Sequence, residues 1–306
     1  MNNSQNLKTI IIGATGIVGL ELIDELLNSN QYSQITLLIR NLNEKWNNYT
    51  NDKKTKLKII IKENFNFLSE MYEIEELEKI FPDKPYNSLF NLLGSNIKPT
   101  EEEFKKVEFD FVINSCEICE KLKIPHFIFC SNNKADKNSL TICNKIKGET
   151  EEEILKRNID CVSIFKPGII TDKEKKESKF GNFFNKYVPF VEKLKSNDLA
   201  KAMCYCDVLF WKNQLTIEHV SQIFNNNDIL KMKEQFVLFL KKEEEKKNED
   251  NEEKKEDDNN EEKKKEENKN EEEKKEENKN EEIKKEDEKA EDNKKRRGKK
   301  IKRKKY

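Results

Sequence analysis

A doubly wound parallel sheet of the Rossmann-like α/β class is predicted for most of this chain, on three observations. Strand and helix patterns alternate from the N-terminus onward. The strand patterns are continuous apolar runs, as in parallel sheets covered on both faces. A glycine-spaced loop, GATGIVG, joins the first strand to the first helix, where such sheets bind phosphate groups.

The elements follow in order. LKTIII, residues 7–12, is a short apolar strand. After the glycine loop, GLELIDELLN carries Leu20, Ile23, Leu26 and Leu27 at helical spacing. QITLLIR (34–40) and KLKIII (56–61) are the second and third strands. A polar helical stretch over 69–81 leads to a fourth strand in SLFNLLG, 88–94. A long helix starts after Thr100, a residue suited to accept first-turn N–H groups as an N-cap. HFIFCS (126–131) is the fifth strand, 144–156 is helical, and DCVSIF (160–165) is a sixth strand ending at Pro167-Gly168. Residues 171–195 are charged, aromatic and irregular, and read as a flap over the carboxyl edge of the sheet. Residues 197–210 and 228–240 read as closing helices, with 216–220 as a last strand.

Charge divides the chain in two. The whole has 306 residues, 39% of them charged, yet a formal net charge of -1. Residues 241–306 hold 26 Lys+Arg and 26 Asp+Glu with almost no large apolar side chains. Such a segment buries too little apolar surface to offset its ordering entropy. The organisation is therefore a 1–240 nucleotide-binding domain and a 241–306 low-complexity tail. KKEENKNEE recurs in the tail at 264–272 and 274–282, and 294–305 carries ten basic residues in twelve. That basic end suits a nuclear-import signal, a nucleic-acid or acidic-lipid patch, or simple solubilisation. No apolar run approaches the roughly 18 residues of a spanning helix. The start MNNSQNLKT shows no basic flank with an apolar segment behind it, and seven cysteines then read as reduced thiols. The expected location is cytoplasmic, or nuclear through the basic end. Cys116 and Cys119 form a CxxC, but within a helical pattern and without a second ligand pair, so no metal is assigned.

Gly13, Gly16 and Gly19 give the loop its GxxGxxG spacing. The first permits a tight turn, the second lets backbone approach a pyrophosphate, and the third lets the helix pack closely on the strand. The helix N-terminus adds unpaired N–H groups and the positive end of its dipole. After the second strand stands Arg40, where NAD-preferring sites carry an acid for the ribose 2′-OH. A guanidinium there suits a 2′-phosphate, hence NADP(H).

At these residues the chain resembles an atypical short-chain dehydrogenase/reductase, and more narrowly the Tat-interactive protein 2 oxidoreductases. The resemblance lies in GATGIVG, QITLLIR, NLLGS, HFIFCSNNKADK, KIKGETEEEI and FKPGII, between about residues 8 and 220. It implies an NADP(H) site with a Ser-Tyr-Lys catalytic set acting on a small carbonyl substrate. Gly13, Thr15, Gly16, Ile17, Val18 and Gly19 match the phosphate loop, and Arg40 the 2′-phosphate arginine. Leu93, Gly94 and Ser95 match the loop beside the adenine ribose; Pro167 to Ile170 match the loop flanking the nicotinamide amide. Ser131 matches the catalytic serine and Lys147 the ribose-holding lysine. The resemblance also implies regulatory roles with protein partners in nuclear transport or transcription.

Two departures matter. Cys143 stands where the family's tyrosine donates its proton, and Asn132 to Lys134 replace smaller residues after Ser131. A thiol is an acid, but a donor must come within about 2.6–3.2 Å of its acceptor, and a cysteine sulfur stays close to the backbone. Three readings of Cys143 follow: a small packed side chain in place of a lost group, a weakened reductase relaying through water or Ser131, or a redox-sensitive thiol. The chain is then either an NADP(H)-dependent oxidoreductase or a catalytically weak NADP(H)-binding protein that works through partners. His126 and His219 read as structural.

Overall fold

The computed structural model describes residues 6–62, 73–95, 100–171, 193–213, 220–242 and 245. The chain divides into two units, Met1–Leu238 and Phe239–Tyr306. The first is described here; the expected tail lies almost wholly outside the described residues, as does His219.

β1 (Leu7–Ile12), α1 (Ile17–Asn28), β2 (Tyr32–Ile39), α2 (Asn51–Lys56) and β3 (Leu57–Ile61) open the fold. α3 (Ile74–Ile80), β4 (Ser88–Asn91), α4 (Glu101–Lys105), α5 (Phe111–Leu122) and β5 (His126–Cys130) follow. Then come α6 (Ile142–Ile154), β6 (Cys161–Lys166), β7 (Ile169–Thr171), β8 (Lys193–Lys195), α7 (Ser196–Asn213) and β9 (Val220–Asn225). Residues 226–238 are again helical.

Seven strands form one sheet in the order β3-β2-β1-β4-β5-β6-β9, and every neighbouring pair is parallel. The chain winds outward from β1 to β3, returns to β4 beside β1, and winds the other way. The crevice where the winding reverses, at the carboxyl ends of β1 and β4, is where such sheets take ligands. α1 packs on α7, whereas α3 and α6 pack on α5. Ile10, Ile12, Leu89, Phe127, Phe129 and Ile164 supply sheet positions of the core under Phe111, Val112, Cys116 and Cys119 of α5. The CxxC pair is thus core packing, and burial pushes both thiols up.

Three sequence expectations need correction. β3 is apolar but not covered on both faces: it is an edge strand, and Ile59 and Ile61 are exposed. The last strand begins at Val220, where the expected one ended, and it forms the opposite edge. The long helix after Thr100 is interrupted by a π turn, Lys106–Asp110. Thr100 does cap it, in a reciprocal box in which its hydroxyl accepts from the Glu103 N–H and the Glu103 carboxylate accepts from the Thr100 N–H. β7 and β8 pair in parallel at the borders of the expected flap, whose residues 172–192 lie outside the described residues.

Candidate functional site

The loop after β1 is shaped by its glycines. Gly13 has φ +86°, and a Cβ there would come within 2.5 Å of the Leu92 carbonyl carbon. A Cβ on Gly19 would come within 2.5 Å of the Gly13 oxygen, so this glycine seats α1 against β1. Gly16 differs: a Cβ there would meet only the Gly13 oxygen, at an ordinary 3.5 Å. The protein's own packing does not demand glycine at 16, and a residue without a side chain there leaves the backbone open to close approach. Gly16 is also the N-cap of α1, whose first-turn N–H groups have no intrahelical acceptor. A diphosphate fits this combination of bare backbone and helix dipole.

One cleft is lined by residues 13–16, the end of β2 from Leu38 to Arg40, and the loop after β4 from Leu92 to Gly94. The fold thereby brings together Gly13, Thr15, Gly16, Arg40, Leu93 and Gly94 from three separate stretches. Val18 and Gly19 are buried behind the loop and do not line the cleft, and Ile17 is exposed. Asn91 holds the β4 loop: its side-chain oxygen accepts from the Leu93 N–H at 3.1 Å and its amide donates to Ser115 at 3.0 Å.

The three expected catalytic residues are less united. Ser131, at the end of β5, is 5% exposed. Its backbone N–H donates to the Phe165 carbonyl, and its hydroxyl donates to Glu151 Oε1 at 2.5 Å. Glu151 Oε2 in turn accepts from the Lys166 ammonium at 2.7 Å. Lys147 is engaged with another carboxylate: its Nζ donates to Glu108 Oε2 at 2.6 Å and lies 5.6 Å from the Phe129 ring centroid. Glu108 Oε1 accepts from the Ser95 N–H at 2.8 Å. Burial pushes the nearby Cys130 thiol up to about 11, Lys147 opposing this and Glu108 adding to it. Cys143 is exposed on the first turn of α6. Among the described residues no hydrogen bond joins Ser131, Cys143 and Lys147 to one another. Next to Ser131, the Pro167 carbonyl accepts from the Asn133 N–H at 2.9 Å, and the Gly168 N–H donates to Asn226 at 3.1 Å. Ile170 is half-buried in β7.

Sequence reasoning missed Glu108, Glu151 and Lys166. A signal for Glu108 was present: it falls at i+4 from Phe104 and i−4 from Val112, on the apolar stripe of its helix. Glu151 sits in an acidic run that reads as a solvated face, so only the fold distinguishes it from Glu152 and Glu153.

No protein-family model matches the chain. The rat Protein HTATIP2 is 28% identical over 181 residues, 58% of this chain and 69% of the relative. Protein FMP52, mitochondrial, of Candida albicans is 25% identical over 176 residues, covering 58% of this chain and 72% of its own length. A second fungal relative, FMP52-1 of Scheffersomyces stipitis, is also named mitochondrial. These names overturn the cytoplasmic or nuclear location expected from the sequence, which rested on the look of the N-terminus and the basic end. Among solved structures, a Bordetella bronchiseptica enzyme, WbmG, in complex with NAD aligns with TM-score 0.51 at 11% identity, over 78% of this chain and 80% of its own. The UDP-N-acetylglucosamine 4-epimerase of Methanobrevibacter ruminantium aligns with TM-score 0.52 at 14% identity, over 72% and 76%. At such identities the likeness is one of fold. Likeness to HTATIP2 in sequence and a Rossmann-like sheet in structure together make this chain similar to the atypical, short-chain dehydrogenase/reductase-like proteins.

Proposed function

We propose that this chain binds a nicotinamide dinucleotide at the carboxyl ends of β1, β2 and β4, prefers NADP(H), and reduces small carbonyl compounds weakly or not at all. The observation that carries the reading is a cleft lined by Gly13 to Gly16, Leu38 to Arg40 and Leu92 to Gly94, combined with an exposed Cys143 where the resemblance implies the proton donor. Gly13, Thr15, Gly16 and the first-turn N–H groups of Ile17 and Val18 would hold the pyrophosphate, with Gly19 seating the helix behind them. Arg40 would take the 2′-phosphate, residues 93–95 the adenine ribose, and Lys147 the nicotinamide ribose. Pro167 and Ile170 would flank the nicotinamide. The bound cofactor would supply or accept a hydride. Proton supply is where this chain is deficient. The Ser131 hydroxyl directs its proton at Glu151, so it offers a substrate oxygen lone pairs rather than a donor. The Lys147 charge is already matched by Glu108. The names of the fungal relatives make mitochondria the compartment we propose.

Calorimetric titration of the full chain with NADPH and with NADH tests the binding half. NADPH is expected to bind about tenfold more tightly, the scale of one charge-assisted contact, and Arg40→Ala is expected to erase the difference. A preference that survives in the variant removes Arg40 from this role, and no binding of either cofactor removes the reading. Brisk NADPH-dependent reduction of aldehydes or ketones by the wild type would overturn the catalytic half.

A further inference from the structure

Glu108 is a buried carboxylate among apolar positions of its own helix. It lies on the π turn Lys106–Asp110, between Phe104 and the Phe111-Val112 pair, and is 2% exposed. A carboxylate so placed is costly unless both oxygens are satisfied. They are, by groups from two separate parts of the site. Oε2 accepts from the Lys147 ammonium at 2.6 Å, and Oε1 accepts from the Ser95 N–H at 2.8 Å. The turn is itself fastened to α6, because the Thr150 hydroxyl donates to the Glu108 carbonyl at 2.8 Å. A π turn adds a residue to the helical register and re-aims the side chains it carries. Here it aims a carboxylate between a cleft-lining loop and a lysine.

Ser95 follows directly on the cleft-lining residues Leu92 to Gly94, and Lys147 stands on α6. In the reading above, these two serve opposite ends of one dinucleotide. We propose that Glu108 is a positioning residue of the dinucleotide site, its two oxygens fixing the spacing between the 93–95 loop and the Lys147 ammonium. A lysine on a free four-carbon stem loses much rotamer freedom when it binds a ligand. Glu108 orders it beforehand, so affinity for the whole dinucleotide depends on Glu108 more than affinity for its adenine half does. The proposal rests on the dinucleotide reading.

The test is calorimetry on the full chain with Glu108→Gln. Glutamine keeps an oxygen for the Ser95 N–H but presents no anion to Lys147. NADPH binding is expected to weaken about tenfold, while 2′,5′-ADP, the adenine half alone, changes by less than about twofold. A purely structural role would move both ligands together or neither, and either result overturns the proposal. Glu108→Gln leaves Lys147 without its anion, so Glu108→Asp, which keeps the anion but is one methylene too short to hold both the Ser95 N–H and the Lys147 ammonium at their present distances, is titrated alongside. It is expected to show the same split in smaller degree, and it carries the test by the same criterion should the glutamine variant not fold. Wild type that binds neither ligand overturns the dinucleotide reading and this inference with it. Wild type that binds both, with affinities unchanged in the variants, overturns this inference alone.

Discussion

Cys143 occupies the first turn of α6 with its side chain exposed, four residues before Lys147. Residues at this spacing share one helix face, so a longer side chain at 143 starts from the proper side of the helix. A tyrosine would carry its hydroxyl several bonds farther from the backbone than the sulfur reaches. Cys143→Tyr is therefore expected to raise NADPH-dependent reduction of small aldehydes and ketones by about 100-fold, within the range of a positioned general acid. Stopped absorbance traces of NADPH consumption, wild type against variant, measure it. An unchanged rate in a variant that still binds NADPH would mean that Ser131 and Lys147, held by Glu151 and Glu108, are the deeper obstacle. Local motifs singled out Ser131 and Lys147. They did not single out the carboxylate partners, because each pairing joins stretches 20 and 39 residues apart and depends on which helix face turns inward.

At the scale of elements, apolar runs and the glycine loop made β1, α1, β2, β4, β5, α6 and β6 readable to within a few residues. Each of these strands is interior to the sheet, so its burial on both faces left a strong mark in the sequence. The edges were harder. β3 is as apolar as an interior strand but exposed, and β9 follows a stretch with no strong pattern. The π turn has no residue signature at all, since its side chains suit an α-helix equally well. Gly148 shows how one element depends on another. In an exposed helix, glycine to alanine stabilises by about 1 kcal/mol. A Cβ on Gly148, however, would lie 2.2 Å from the Lys137 nitrogen and 2.3 Å from the Asp136 carbonyl carbon. Those are backbone atoms that cannot swing aside, and overpacking costs about 1–3 kcal/mol or more. The steric cost wins, so Gly148→Ala is expected to lower the urea midpoint rather than raise it. A raised midpoint would show that the 132–138 loop yields easily.

Across the Met1–Leu238 unit, the end of the sheet opposite the cleft is tied by a buried polar cluster. Tyr32, Ser88 and His126 each begin a strand, and all three bond to Asp207 of α7, at 2.7, 2.9 and 2.8 Å. The other His126 ring nitrogen meets the Ser163 hydroxyl at 2.9 Å. Both His126 and Asp207 are wholly buried. His126 thus proves structural, and with partners that sequence reasoning did not identify, since Asp207 lies 81 residues away. Burial pushes the imidazole toward its neutral form, but hydrogen bonding to Asp207, Cys161 and Cys206 and the Asp207 charge outweigh it, leaving the pKa well above the ordinary 6.5. The folded chain therefore holds a proton that the unfolded chain releases above that ordinary value. Stability from this source is fully present below about pH 6.5 and falls as pH rises through the raised folded value. Breaking a buried pair costs about 3–5 kcal/mol, so His126→Gln is expected to be less stable than wild type by that amount at pH 6. The gap between the two should narrow as pH rises, because only the wild type has the proton to lose. Urea unfolding of both chains from pH 6 to 9 measures it; a gap that stays constant would mean that His126 is neutral in the fold and that Asp207 is held by hydrogen bonds alone.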